Sequence, residues 1–326
     1  MHNKSILSDR YQAVMLDGVL SGFELVEHGV PQGSVLGPSF FIIYINDLPS
    51  QVRDELIYPY LFADDLALSV TDNNVDSLRL RLDGTSITIQ DWCSANSLCL
   101  NEEKTVQILF TPSRLRPAQA DTVKFLGVHL EPGLGWETHV NSLVNKICKG
   151  IFMLRILSLR VSVTALLTVY YGHIFSHLSY GVILWGNHPS VSRLLILQKK
   201  AVRIMCRARP SEHCKPLFVQ LKLLTLPAIY VLDCLLYVKK HIEHFTLCDN
   251  LHNYSTRQES NVFIKFNKYS RTLKSYEVTA IKLYNGLPHY IKNLPVNQYK
   301  LRLKSFLIAN PLYSTKDFLD LNLVHV

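Results

Sequence analysis

Asp64 and Asp65 stand side by side in an otherwise apolar stretch, Tyr60-Leu-Phe-Ala-Asp-Asp-Leu-Ala-Leu68. Two adjacent carboxylates in an apolar sheet repel each other and lose hydration, which costs several kcal/mol per ion when they are buried and unpaired. A bound cation removes that difficulty. Hard divalent ions such as Mg²⁺ take oxygen ligands and keep positions open for water and phosphate. Such ions can activate an attacking hydroxyl and stabilise a leaving oxygen, which is the chemistry of phosphoryl transfer. On Phe62, Ala63, Asp64 and Asp65 alone, a solvated Asp-Asp turn is an equally good reading. A second cluster, Cys234, His241, His244, Cys248 and His252, has the residue types of a zinc site. Its spacings fit no common finger and it lies in an apolar, helical pattern, so ordinary packing is the preferred reading.

The elements around these residues follow from period and punctuation. Residues 11–27 alternate around Asp17-Gly18 and Ser21-Gly22 and predict a hairpin. A Gly/Pro-rich loop, Gly29 to Pro38, leads into an apolar helix that ends near Pro49. The segments IYPYLFA and LALSV form a second hairpin that carries the acidic pair at its turn. Asp72 or Asn74 caps an amphipathic helix reaching about Asn96, and short strands follow in LCLN, TVQILF and TVKFLGVHL. From about Trp136 the period is helical, with weak patterning over 247–275 and a last helix expected near 298–310. The fold class is therefore α+β: a small antiparallel sheet backed by helices, then a mostly α-helical remainder.

The chain has 326 residues, 48% of them hydrophobic and 18% charged, with 14 Gly and 14 Pro, which excludes disordered, collagen-like and low-complexity classes. No apolar run reaches the length of a membrane span and the first 20 residues lack the core of a secretion signal, so an intracellular protein, nuclear or cytoplasmic, is expected. The seven cysteines form no CxxC pair and are expected to be reduced. The net charge of +8 is unevenly spread. Residues 1–130 carry 9 Lys/Arg against 16 Asp/Glu, and 131–326 carry 25 against 10. A basic second part interleaved with Tyr and Phe suits a surface that follows a phosphate backbone and stacks on bases, although such a surplus also serves solubility.

The order of the motifs adds what no single one carries. Gly29-Val-Pro-Gln-Gly-Ser34, Phe62-Ala-Asp-Asp65, Leu100-Asn-Glu-Glu-Lys-Thr105 and Phe125-Leu-Gly127 follow one another with gaps of about 30, 39 and 22 residues. This succession resembles the palm of reverse transcriptases. The longer texts GVPQGSVLGPSFFIIYINDLP and YLFADDLAL are most similar to the jockey-type group of non-LTR, LINE-like retrotransposons. SYGVILWGN, LQKKAVRI and YNGLPHYI resemble the region after the polymerase core, so the likeness covers nearly the whole chain. It implies an RNA-directed DNA polymerase working on an RNA template, a DNA primer and dNTPs, with Mg²⁺ or Mn²⁺ as cofactor. Carried over, Asp64 holds metal and Asp65 assists, while Lys104 protonates the departing pyrophosphate. Gly29, Pro31, Gln32, Gly33 and Ser34, with Phe62 and Ala63, meet template and nucleotide, and Phe125, Leu126 and Gly127 grip the primer. Lys199, Lys200, Arg203, Arg207 and Arg209 become backbone contacts of a thumb. Phe125 and Leu126 serve equally well as sheet core, and Lys104 as a surface lysine.

The resemblance also implies a division: a partial palm over 1–130, a basic helical thumb over 131–246, and a loop with a C-terminal helical region over 247–326. The family's first metal-binding aspartate, in a segment resembling D-x-x-x-A-F-D, has no counterpart before Gly29, where Asp9 and Asp17 stand in a polar lead-in and a turn. The fingers are missing as well. The expectation is an N-terminally truncated element copy with little or no activity alone and an exposed sheet edge, served in trans, if at all, by a full-length retroelement protein. A non-catalytic nucleic-acid-binding remnant and an inert remnant are the alternatives.

Overall fold

The computed structural model describes residues 10–26, 29, 33–110, 122–248, 261–265 and 275–321. The chain divides into two units, 1–106 and 107–326.

The first unit opens with four two-residue strands, β1 (Tyr11–Gln12), β2 (Met15–Leu16), β3 (Val19–Leu20) and β4 (Glu24–Leu25). β2 pairs with β3 across Asp17-Gly18, whose φ values of 50° and 83° suit the right-handed twist of a hairpin, and β1 pairs with β4 outside them. Met15, Leu16 and Val19 stay exposed, so this ladder buries almost no apolar surface. The helix expected to end near Pro49 stops earlier, as α1 (Gly37–Tyr44), and a second, α2 (Leu48–Val52), starts beside that proline, so that each has a proline in its first turn. There the missing N–H costs nothing, whereas within one longer helix Pro49 would remove a hydrogen bond. β5 (Ile57–Phe62) and β6 (Asp65–Val70) pair in register from Ile57↔Val70 to Phe62↔Asp65. α3 (Val75–Ala95) begins at Asn74, whose side chain accepts the Asp76 amide at 2.8 Å. Leu48, Val52, Ile89 and Cys93 form a small core with Leu66 and Leu68 of β6 against it, so α2 and α3 back the acidic hairpin.

Two sequence expectations fail here. Among the described residues the antiparallel structure is four separate two-stranded ladders rather than one sheet. Residues 98–101 and 105–110 are not strands. Asn101 instead turns its side chain onto the Lys104 amide at 3.1 Å and closes a 3₁₀ turn, Glu102–Lys104, a local bond that competes with extended pairing.

The second unit starts with a hairpin, β7 (Val123–Phe125) and β8 (Val128–Leu130), where one continuous strand was expected. Leu126 and Gly127 make the reversal with φ values of 45° and 82°. Helices then follow: α4 (Glu137–Leu157), α5 (Val163–Tyr170), α6 (Ser176–Ser179), α7 (Val182–Trp185), α8 (Val191–Cys206), α9 (Cys214–Gln220) and α10 (Leu226–Lys240). After a 3₁₀ turn at Ile242–His244 come α11 (Tyr276–Asn285), α12 (His289–Lys292), α13 (Val296–Ala309) and α14 (Thr315–Asp320). The sequence 164–185 reads as one buried helix, but a π-helical turn at Tyr171–Phe175 and a left-handed Gly181 interrupt it. The π turn sits where α4 comes closest: a Cβ on Gly150 would lie 2.8 Å from Ile174 and 3.0 Å from the His173 carbonyl. Only glycine permits that approach.

α10 is the axis of this unit, buried along nearly its whole length and packed by α6, α7, α8, α11, α13 and α14. Its run from Leu226 to Leu236, in which Asp233 is the one charged residue, is the signature of such a position. Gln198 of α8 fastens its start: its amide donates to the Tyr170 hydroxyl at 2.8 Å and the Leu224 carbonyl at 3.0 Å, and its oxygen accepts the Leu226 amide at 2.8 Å. Among the described residues no helix is long and apolar enough to cross a membrane. All seven cysteines are unbridged.

Candidate active site

The acidic pair sits at the tip of the β5–β6 hairpin. Phe62 and Asp65 close the ladder, and Ala63 and Asp64 are the two turn residues between them. Ala63 has φ +52°, a left-handed conformation that costs a residue with a Cβ about 1–2 kcal/mol. Phe62, Ala63, Asp64 and Asp65 are all exposed. Neither carboxylate has a hydrogen-bond or ion-pair partner among the described residues, whereas Asp54 and Asp72 are engaged by Arg81 at 3.1 and 3.6 Å. Two free carboxylates projecting from one turn offer oxygen donors suited to a hard divalent cation. Among the described residues no third acidic side chain gathers with them. Two carboxylates without a third do not by themselves build a bridged pair of ions.

The Gly-Pro-Gln loop is only partly visible. Pro31 and Gln32 lie outside the described residues. Gly29 and Gly33 have φ values of 84° and 81°, and the Gly29 carbonyl accepts the Arg10 guanidinium at 2.7 Å. Ser34 turns its hydroxyl back to accept the Gly37 amide at 3.0 Å, which ties the loop to the start of α1. Lys104 is exposed at the end of its 3₁₀ turn, held there by Asn101 through the backbone. Asp64, Asp65, Lys104 and the described loop residues all belong to the first unit.

Phe125, Leu126 and Gly127 belong to the second unit, at the β7–β8 turn, with Phe125 half-buried. Their anchor is Tyr180, whose hydroxyl donates to the Leu126 carbonyl at 2.7 Å while its ring lies 3.6 Å from where a Gly127 Cβ would stand. Sequence reading quoted this residue within SYGVILWGN but gave it no role, because 54 positions separate it from Leu126. The basic candidates of α8 and the residues just after it divide by what already occupies them. Arg207 donates twice to the Ser158 carbonyl, at 3.1 and 2.9 Å, and so caps α4. Arg203 donates to the Glu212 carbonyl at 2.9 Å, and the Lys199 ammonium lies 3.4 Å from the Tyr313 ring centroid. Burial pushes the Lys199 ammonium below its ordinary pKa. Lys200 and Arg209 are exposed, and their side chains have no partner among the described residues.

Residues 3–130 match the family of reverse transcriptases (RNA-dependent DNA polymerases). The chain is 29% identical over 224 residues to the probable RNA-directed DNA polymerase from transposon BS of Drosophila melanogaster, a match covering 61% of this chain and 24% of the relative. It is 27% identical over 222 residues to the probable RNA-directed DNA polymerase from transposon X-element of the same organism, covering 62% and 24%. It is 26% identical over 226 residues to the RNA-directed DNA polymerase from mobile element jockey of Drosophila funebris, covering 61% and 24%. The chain thus spans about a quarter of the length of the relatives it matches. No solved structure matches it significantly. Residues 3–130 are thus similar to reverse transcriptases, and about 60% of the chain is similar to the RNA-directed DNA polymerases of these mobile elements.

Proposed function

We propose that the chain supplies the acidic turn and the basic helical region of an RNA-directed DNA polymerase that extends a DNA primer on RNA by nucleotidyl transfer. Residues 1–130 act as the palm portion, 131–246 as a thumb that follows the template–primer duplex, and 247–326 as a helical extension. The observation that carries this reading is the unpartnered Asp64-Asp65 pair at a hairpin tip inside the matched segment. Asp64 and Asp65 bind and orient a divalent cation through their free carboxylates. When bound, that cation neutralises phosphate charge and lowers the barrier to attack by the primer hydroxyl. Lys104, exposed on its turn, places an ammonium able to donate a proton to a departing pyrophosphate. Gly29 and Gly33 leave backbone open to a close neighbour. Phe125 to Gly127 hold the primer end on a hairpin that Tyr180 keeps rigid. Lys200 and Arg209, whose side chains have no partner among the described residues, meet the phosphate backbone.

With only two carboxylates gathered among the described residues, the isolated chain is an incomplete catalyst. It binds an RNA–DNA primer–template in a salt-sensitive manner and extends it barely above background with Mg²⁺ or Mn²⁺. Filter binding and primer extension on the same substrate test this. Robust extension abolished in Asp64→Ala keeps the polymerase reading and overturns the incompleteness. Absence of both extension and salt-sensitive binding overturns the polymerase reading.

A further inference from the structure

Beyond the polymerase motifs, one group of metal-ligating side chains has no role in nucleotidyl transfer. α10 ends at Lys240, and the following 3₁₀ turn carries Ile242, Glu243 and His244. In a 3₁₀ turn residues three apart eclipse each other. His241 and His244 accordingly stack, with ring centroids 5.9 Å apart and planes 22° from parallel. The Glu243 carboxylate reaches to 3.8 Å from His244 Nε2, and one ligand atom from each of the three residues lies within 4.8 Å of the others. All three side chains are exposed.

We propose that His241, Glu243 and His244 form a surface site for a borderline transition-metal ion of the zinc class. Two imidazoles and one carboxylate are the donor set such ions prefer, whereas Mg²⁺ and Ca²⁺ favour all-oxygen shells. Zn–N and Zn–O bonds near 2.1 Å put the donors of one tetrahedral ion about 3.4 Å apart, so closing the site needs rotations of side chains that are exposed, with His241 also lying against the Tyr237 ring at 5.1 Å. Three protein ligands leave one position for water or an outside donor, the arrangement of an open site rather than a sealed structural one. The cysteines that the sequence set beside these histidines stay out. Cys234 is buried within α10, where burial pushes its thiol up to about 12 and keeps it protonated. Cys248 is not among the gathered ligands. His252 lies outside the described residues.

Cobalt titration of the chelator-stripped full chain tests this, because Co²⁺ reports its ligands by colour. One equivalent is expected to give a visible ligand-field band without the near-ultraviolet band of a thiolate ligand, and Zn²⁺ is expected to displace it. Binding weakens about tenfold or more in His241→Ala and in His244→Ala, and is unchanged in Cys248→Ser. Affinity that survives the His241→Ala/His244→Ala double variant overturns the site. So does a thiolate band lost in Cys248→Ser, or no band at about a tenfold excess of Co²⁺. None of these outcomes depends on primer extension.

Discussion

At the scale of single residues, the buried imidazole of His139 shows how one side chain ties stability to pH. His139 is 2% exposed, its Nδ1 accepts the His129 amide at 3.4 Å, and its Nε2 is buried without a partner. Burial first, then the neighbouring His129 and Lys146, lowers its pKa from 6.5 to about 4. The unfolded chain therefore binds this proton more readily than the folded one between those values. The stability involved is fully present above pH 6.5 and is lost as the pH falls towards 4. The expected loss on going from pH 7 to pH 4.5 is about 2.5 kcal/mol, measured as the shift in urea midpoint, and His139→Gln removes that component while leaving the carboxylates' own contribution intact. At this scale the acidic pair was legible in the sequence, because adjacent carboxylates among Leu, Phe and Ala are conspicuous. The role of Tyr180 was not, because a hydroxyl-to-carbonyl bond across 54 residues leaves no local trace.

Among the elements, the most exacting contact is the one that joins α8 to the entry of α10. Gln198 is fully buried and satisfies three polar groups at once. Gln198→Leu keeps the bulk but strands the Leu226 amide and the Leu224 carbonyl in a dry interior. Each orphaned group costs about 1–3 kcal/mol, so a destabilisation of about 3 kcal/mol is expected in thermal or urea unfolding, more than the variant regains in apolar burial. Hairpins and capped helices were readable from the residues themselves: Asp17-Gly18 and Asn74 act through their own backbone neighbourhood. Interruptions were not. The π turn at Tyr171–Phe175 coincides with the approach of Gly150 from another helix, and the strands expected at 98–101 and 105–110 yielded to a side-chain bond from Asn101.

For the whole molecule, the sequence foretold the change from mixed structure to helices near Trp136, because the hydrophobic period itself changes there. It did not foretell that the antiparallel part would, among the described residues, be four separate ladders, since period alone does not say which strands meet. Nor did it rank the helices. α10 carries Asp233, Lys239 and Lys240 on an otherwise apolar run that does not identify its place in a bundle, and only the packing reveals that it is central.

That centrality has a consequence for how the second unit comes into being. Neighbours of α10 arrive both from earlier chain, in α6, α7 and α8, and from later chain, in α11, α13 and α14. During synthesis the largely apolar helix must therefore wait until residues as late as Tyr299, Leu303 and Phe318 have left the ribosome to cover it. A chain stopped at Pro295 is expected to lose the cooperative unfolding transition of this unit and to be cut by protease at trace concentrations, with calorimetry and limited digestion as the readouts.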